Sequence, residues 1–451
     1  MHIGVPKEIK NNEYRVAIVP SIVRELTEHG HQVFIETQAG IGVDISDSDY
    51  QEAGATILNT AKEVFDQGDL ILKVKEPQPE ECAYLREGKT LFTFLHLAAD
   101  KKQTELLLAS NCNAIAYETV TDARGGLPLL APMSEIAGRM AIQAGAHSLE
   151  KAQGGRGILL SGVPGVAWAS VVVLGGGVVG SNAIRMALGL ESQVTVIDKS
   201  VVKLKELDQQ FGGQLNTIFS TQDSIEKYIP LADLLIGAVL VPGAEAPKIV
   251  TRDLLRKMRP GSVVVDVAID QGGCFASSRP TTHTDPTYIV DDIVHYCVSN
   301  MPGAVSRTST FALTHATLPY ILALANKGIY RASDETGEHC KSNASRRAHD
   351  RRALTGEAGN ASRRKVIVEA TARSLEWASA WRTQDESGPT FSRVIRTNFG
   401  DRMAKIFREN SDSLGLKMFI YAMDLIFHAV VSHTKLWLMY LINLMFRQGR
   451  F

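Results

Sequence analysis

Apolar residues in the first 118 positions fall into short runs at 33–35, 70–74, 91–95 and 114–116. Between them, at 21–29, 61–65 and 101–109, they recur at helical spacing. Short apolar runs bounded by turn residues read as buried strands, and their alternation with helices predicts a parallel, doubly wound sheet. A turn-rich segment, Asp122-Ala-Arg-Gly-Gly-Leu-Pro128, then punctuates the chain. A helix is expected over 134–151, where Ala137, Gly138, Ala141, Ala144 and Gly145 allow a neighbouring element to approach closely. A second alternating unit follows to about residue 300, with strands near 170–175, 193–197, 215–219, 233–238 and 262–268. After Pro302-Gly303 the pattern predicts a helix over 311–325, kinked by Pro319. The expected fold class is α/β, with two doubly wound Rossmann-like domains.

Past Tyr330 the pattern stops. Residues 331–364 are polar and hold three arginine pairs, at 346–347, 351–352 and 363–364. From 414 to 446 the chain turns apolar, but Asp424, His428, His433 and Lys435 interrupt it. No unbroken apolar run there reaches the roughly 18–20 residues of a membrane span. The tail reads as a solvated linker and an amphipathic helix, with a membrane tether as the alternative.

The second unit opens on Ser170-Val-Val-Val-Leu-Gly-Gly-Gly-Val-Val-Gly180. Gly175, Gly177 and Gly180 stand at G-x-G-x-x-G spacing, between a β-branched strand and a helix-compatible run. Asp198 ends the next strand, at about the 20-residue offset of a ribose-binding acid. Gly175 permits the tight turn, Gly177 lets a pyrophosphate approach the backbone, and Gly180 lets helix pack on strand. The helix N-terminus offers unpaired N–H groups to the phosphates. An ordinary glycine-containing βα turn is the bland alternative. A carboxylate at 198 repels the 2′-phosphate of NADP and so favours NAD, although Lys199 and Lys203 stand close in sequence.

Charge and cysteine content mainly exclude. Lys and Arg number 48 against 49 Asp and Glu, so nothing points to nucleic acid or an anionic membrane as partner. The five cysteines, at 82, 112, 274, 297 and 340, form no C-x-x-C pair, which speaks against a disulfide framework or a zinc site. The first ten residues carry charge and lack a signal-peptide core, so a cytoplasmic place and no bound metal are expected.

Chemistry in such sheets collects beyond the carboxyl ends of strands. Lys75, His96 and Asp270 each end an apolar run, and Arg15 lies in a loop entering another. An arginine can pair a carboxylate bidentately, a lysine can bind it or polarise a carbonyl, and a histidine moves protons near neutrality. Asp270 can orient water or stabilise a cationic intermediate. Singly, each has an ordinary explanation: a surface ion pair, a snorkelling lysine with Lys73 as its rival, a core histidine, a helix cap. Spacing alone leaves open whether the four meet.

Several stretches resemble the alanine dehydrogenase family, shared with the transhydrogenase NAD-binding subunit. They are Val5-Pro-Lys-Glu8, Arg15-Val-Ala17, Lys73-Val-Lys-Glu-Pro77, Leu95-His-Leu-Ala-Ala-Asp100, Ala131-Pro-Met-Ser-Glu-Ile-Ala-Gly-Arg139, the glycine loop, Asp266-Val-Ala-Ile-Asp-Gln-Gly-Gly273 and Asn300-Met-Pro-Gly-Ala304. His96 and the form of the Asp270 loop look like the dehydrogenase. The resemblance covers residues 1 to about 328. It implies NAD-dependent deamination of L-alanine to pyruvate and ammonium, and the reverse, in a homo-hexamer. By position it implies that Arg15 and Lys75 hold substrate and that His96 and Asp270 are catalytic. It places Ser134, Gly175, Gly177, Val178, Val179, Gly180, Asp198, Lys203, Ser220, Val239, Leu240, Val267, Ala268, Ile269, Arg279, Val298, Ser299, Asn300 and Met301 at the NAD site. It divides the chain into a substrate domain, 1–129 with 304–330, and an NAD domain, 130–303.

Residues 331–451 depart from the family. Their composition and the abrupt loss of resemblance imply out-of-frame translation after a frameshift, with a true extension as the alternative. Trp168 and Ser161 also stand where smaller residues are expected. Rival readings are a non-catalytic transhydrogenase-like subunit, an inactive product of the aberrant C-terminus, and an oxidoreductase of the saccharopine or lysine-forming group.

Overall fold

A computed structural model describes residues 1–97, 100–122, 125–239 and 246–335. Leu240, Cys340 and all of the tail beyond residue 335 lie outside the described residues, as does the expectation of a frameshift product. Among the described residues no helix is long and apolar enough to cross a membrane.

The first half runs β1 (His2–Val5), α1 (Pro20–Glu28), β2 (Gln32–Glu36), α2 (Asp47–Glu52), β3 (Thr56–Leu58), α3 (Ala61–Gln67), β4 (Leu70–Leu72), α4 (Pro79–Cys82), β5 (Thr90–Thr93), α5 (Lys101–Ser110) and β6 (Asn113–Ala116). Its six strands are all parallel, in the order β3-β2-β1-β4-β5-β6. Helix α6 (Ala131–Ser148) leads to the second half: β7 (Ser170–Leu174), α7 (Val178–Gly189), β8 (Gln193–Asp198), α8 (Val201–Phe211), β9 (Leu215–Phe219), α9 (Gln222–Tyr228), β10 (Leu234–Gly237), α10 (Arg252–Leu255), β11 (Val263–Asp266), β12 (Thr287–Val290), β13 (Ile293–Tyr296) and α11 (Ser306–Glu335). This sheet has seven strands in the order β12-β13-β11-β10-β7-β8-β9, with only the β12–β13 pair antiparallel. Both sheets therefore reverse strand order beside their first strand, which opens a crevice at the carboxyl ends there.

Strands covered by helices on both faces need continuous apolar character. All residues of β4, β10, β11 and β13 are accordingly buried. Helix α11 returns to the first half, where Leu313, Ile321, Leu324 and Ala325 join the core built on β1, β2 and β4. The small residues of α6 act as expected. A methyl group on Gly138 would stand 2.2 Å from the Val179 carbonyl, and one on Gly145 would meet Leu234 at 2.6 Å.

Three details differ from the pattern-based expectation. Helix α6 begins at Ala131 rather than 134, with Pro132 in its first turn, where a missing N–H costs nothing. The break in helical geometry within α11 falls at Gly328, at φ 72 and ψ 163, while Pro319 lies inside the helix. The β12–β13 hairpin is closed by Asp291-Asp292, both in the left-handed region at φ 51 and 60. A two-residue turn of that kind usually announces itself by Asn-Gly or Asp-Gly, and here neither is present.

Candidate functional site

Two cavities meet at the crevice ends of the sheets. The larger, about 520 Å³, follows the ends of β7, β8 and β10 and is lined by Ser134, Gly175, Gly177, Val178, Val179, Asp198, Ser220 and Val239, with Lys199, Pro247 and Ile249. The glycines do what their spacing requires. Gly175 sits at φ 91, a conformation open to glycine without cost. A methyl on Gly180 would stand 1.8 Å from the Gly175 carbonyl, so only glycine lets α7 start there. A methyl on Gly177 would meet nothing within 4 Å, so this position faces open space at the helix N-terminus. Asp198 accepts from Gly176 N–H at 2.6 Å and from Ser200 N–H at 2.7 Å, tying the end of β8 to the glycine turn. The cradle fits a dinucleotide: phosphates against N–H groups, ribose hydroxyls against a carboxylate.

The smaller cavity, about 150 Å³, is lined by Arg15, Lys75, His96, Asp270, Glu118 and Asn300 among others, and it shares Leu130, Ser134 and Val179 with the larger. Residues from β1, β4, β5 and β6 crossovers thus face the loop after β11. Val267 and Ala268 also line this smaller space.

Arg15 is only 2% exposed. Its Nε and Nη2 donate to the two oxygens of Glu13 at 2.6 and 2.5 Å, and Nη2 also donates to Asn300 Oδ1 at 2.9 Å. The bidentate edge of the guanidinium is therefore occupied within the protein. Nη1 donates to Met133 Sδ at 3.2 Å. Burial pushes Glu13 up, but the hydrogen bonds and charge of Arg15 outweigh it and hold the carboxyl at about 2.

Lys73 and Lys75 part company. Lys73, fully buried, donates to Glu8 at 3.1 Å and Glu81 at 2.7 Å and is an internal ion-pair group. Burial alone would lower its pKa, yet these two carboxylates raise it. Lys75 faces the cavity, with Nζ 3.5 Å from His96 Nε2. Its pKa is lowered, first by burial and then by Arg15. His96 is lowered too, by burial and by Lys75, which favours the neutral imidazole.

Asp270 lies in the turn Val267–Gln271, and its Oδ1 accepts from Asn300 N–H at 3.3 Å. Buried Asp266 shapes that turn by accepting from the N–H groups of Ala268, Cys274 and Phe275 and from the Ser278 hydroxyl. Other positions expected near the cofactor line neither cavity. Lys203 pairs with Glu206 on α8, and Arg279 stacks on Tyr288 at 4.2 Å. Ile269, Val298 and Met301 are packed in the core, and Ser299 N–H donates to the Thr281 carbonyl. Sequence reasoning missed Glu13 and Glu118. Glu13 had a usable signal, an acid two positions before a loop arginine; Glu118 had none. Among the described residues no cluster of His, Cys, Asp or Glu is placed to hold a metal ion.

Comparison with known proteins accords with this geometry. Residues 4–137 match the family described as alanine dehydrogenase/PNT, N-terminal domain, and residues 141–344 its C-terminal domain. The chain is 63% identical over 332 residues to an alanine dehydrogenase of Halomonas elongata, covering 74% of this chain and 90% of that protein. It is 54% identical over 343 residues to an alanine dehydrogenase of Mycobacterium tuberculosis, covering 76% and 91%. A solved L-alanine dehydrogenase superposes with a TM-score of 0.73 at 52% identity, over 76% of this chain and 94% of that one. A transhydrogenase from Sinorhizobium meliloti, 23% identical with a TM-score of 0.64 over 75% of this chain and 96% of that one, shares the fold. The chain belongs to the alanine dehydrogenase/PNT family.

Proposed function

We propose that this chain catalyses NAD-dependent oxidative deamination of L-alanine to pyruvate and ammonium, and the reverse amination. The observation that supports it is the junction of the two cavities, with Arg15, Lys75, His96 and Asp270 on the walls of the smaller. NAD, held by the glycine turn, Asp198 and Ser134, supplies the two-electron acceptor when bound. Arg15 Nη1 and Lys75 hold the substrate carboxylate and so point Cα toward the shared wall. His96, as the neutral imidazole, takes the proton released as the amine becomes an imine and returns it as ammonium leaves. Asp270 orients the water that adds to the imine carbon. Lys203 and Arg279, which the resemblance also names, belong to this reading as contacts made when NAD binds.

A cavity of about 150 Å³ favours a three-carbon amino acid over lysine or saccharopine. His96 at its wall favours a catalyst over a non-catalytic dinucleotide subunit. The working division is a substrate domain, 1–129 with 304–330, and an NAD domain, 130–303, supported by the packing of α11 in the first core. Homo-hexamer assembly has a candidate surface in Leu159, Val163, Val166 and Trp168, apolar side chains 54–65% exposed in one loop. A cytoplasmic place accords with the free thiols of Cys82, Cys112, Cys274 and Cys297. The test is NADH formation followed by absorbance, with L-alanine against L-serine, L-lysine and saccharopine. Turnover with L-alanine that is lost in H96A and D270N is expected. NADH binding without turnover would overturn the proposal.

A further inference from the structure

Resting on the proposed reaction, we infer that Glu118 is a positioning residue for His96, acting through the backbone. Strand β6 lies next to β5 in the sheet, so the turn that ends β6 sits beside the segment that leaves β5. Glu118 occupies that turn, Tyr117–Thr119. Its oxygens accept from Leu95 N–H at 3.2 Å and from His96 N–H at 2.7 Å. No other hydrogen-bond partner of these two N–H groups is present among the described residues.

The carboxylate holds a strained residue. His96 has φ 49, the left-handed region, which is unfavourable for a residue with a side chain. Such a conformation persists where its surroundings impose it. A charged acceptor on the His96 amide imposes it here, and the result is an imidazole 3.5 Å from Lys75 Nζ and parallel to the Phe94 ring, at 5.8 Å and 6°. Glu118 is itself anchored. Its neighbour Tyr117 is fully buried and meets Phe92 and Phe94 edge-on at 4.4 and 5.1 Å, and Thr119 Oγ1 donates to the Ala116 carbonyl. The rigid end of β6 thereby sets the direction of a side chain on the end of β5.

The charge matters as well as the hydrogen bonds. His96 is faced by Lys75, Glu118, Asp270 and Glu76. Lys75 disfavours the imidazolium, and the three carboxylates favour it. Removing the Glu118 charge therefore lowers the pH at which His96 gains its proton.

The test compares E118Q, which keeps an acceptor oxygen without the charge, with E118A, which keeps neither, in the full-length protein. Expected is a fall in kcat of about 10-fold for E118Q and 100-fold for E118A, with NADH affinity unchanged. Both variants should move the acid limb of kcat/KM to lower pH. Placed in an H96A background, either substitution should reduce the residual rate less than twofold. A role in folding alone would instead multiply the losses and leave the limb in place, and that result would overturn the inference. Titration of His96 by NMR of ring-labelled protein, assigned by its loss in H96A, reads the same shift without turnover. A parent protein inactive on L-alanine removes the proposed reaction, while an unchanged His96 titration in E118Q removes the role of Glu118.

Discussion

Replacing Glu13 by Gln should loosen the substrate side of the site by a measurable amount. Glu13 and Arg15 have side chains 0% and 1% exposed and form a two-point ion pair. E13Q keeps the shape and removes the charge, much as protonation would. The carboxyl lies at about 2 against an ordinary 4.5, which at about 1.4 kcal/mol per pH unit is worth roughly 3.5 kcal/mol. Deleting one partner of a buried ion pair costs about 3–5 kcal/mol by an independent route. The two agree. Because the folded-state pKa is depressed, this stability is complete above pH 4.5 and wanes as pH falls toward about 2. The local readout is amide exchange at Arg15 and Val16, whose N–H groups donate to Glu13 and to Thr310 Oγ1. About 3.5 kcal/mol of local opening corresponds to about 300-fold faster exchange. The parent should also lose protection there between pH 4.5 and about 2, and E13Q should not. Protection in E13Q within threefold of the parent, with the same acid profile, would show that the pair contributes little and that Arg15 is held by packing.

The two lysines should separate cleanly: K73M leaves Glu8 and Glu81 buried without a cation and should cost about 3–5 kcal/mol in urea unfolding, whereas K75M should keep its unfolding midpoint and lose turnover at least 100-fold. The glycines should separate as well. G180A forces a methyl against the Gly175 carbonyl and should lower Tm along with NADH affinity, while G177A should leave Tm unchanged and weaken NADH about 10-fold or more in fluorescence titration, because its methyl fills space a pyrophosphate needs. D198A should reduce kcat/KM for NAD about 10-fold and narrow the preference over NADP, with Lys199 on the cavity wall as the nearby cation for a 2′-phosphate. An unchanged NAD/NADP ratio would show that Asp198 serves only the Gly176 and Ser200 N–H groups.

What could be read from the sequence was what a short window contains. The glycine loop, its flanking strand and Asp198 are one continuous segment with a period, and the structure keeps them together at the end of β7. The buried strands declared themselves because a doubly covered sheet demands unbroken apolar runs. What sequence could not supply was partnership across the fold. Lys73 and Lys75 are two residues apart on the segment leaving β4, past its last residue Leu72, so strand alternation, which would put both on one side, does not set their directions. Lys73 meets Glu8 and Glu81, and Lys75 opens on the cavity. Nothing local distinguishes them, because the deciding carboxylates arrive from β1 and α4.

The same limit governs the site's electrostatics. A window around Arg15 shows a free cation suited to gripping a carboxylate with two parallel bonds. In the fold Glu13 already holds that edge, and Asn300, nearly 300 residues away in sequence, takes a further donor. The substrate-facing charge is then a buried, neutralised pair plus Lys75, not two free cations. Burial depresses Lys75 and His96 together, and nearby carboxylates oppose it: Asp270 and Glu76 for Lys75, and Glu118, Asp270 and Glu76 for His96. A site built on two uncompensated cations in about 150 Å³ would pay a desolvation cost that an incoming carboxylate could only partly return. Pairing Arg15 in advance makes the cavity stable when empty. Under the proposed function, one guanidinium nitrogen and Lys75 would then be the recognition pair, and they would fix a small carboxylate by direction more than by charge.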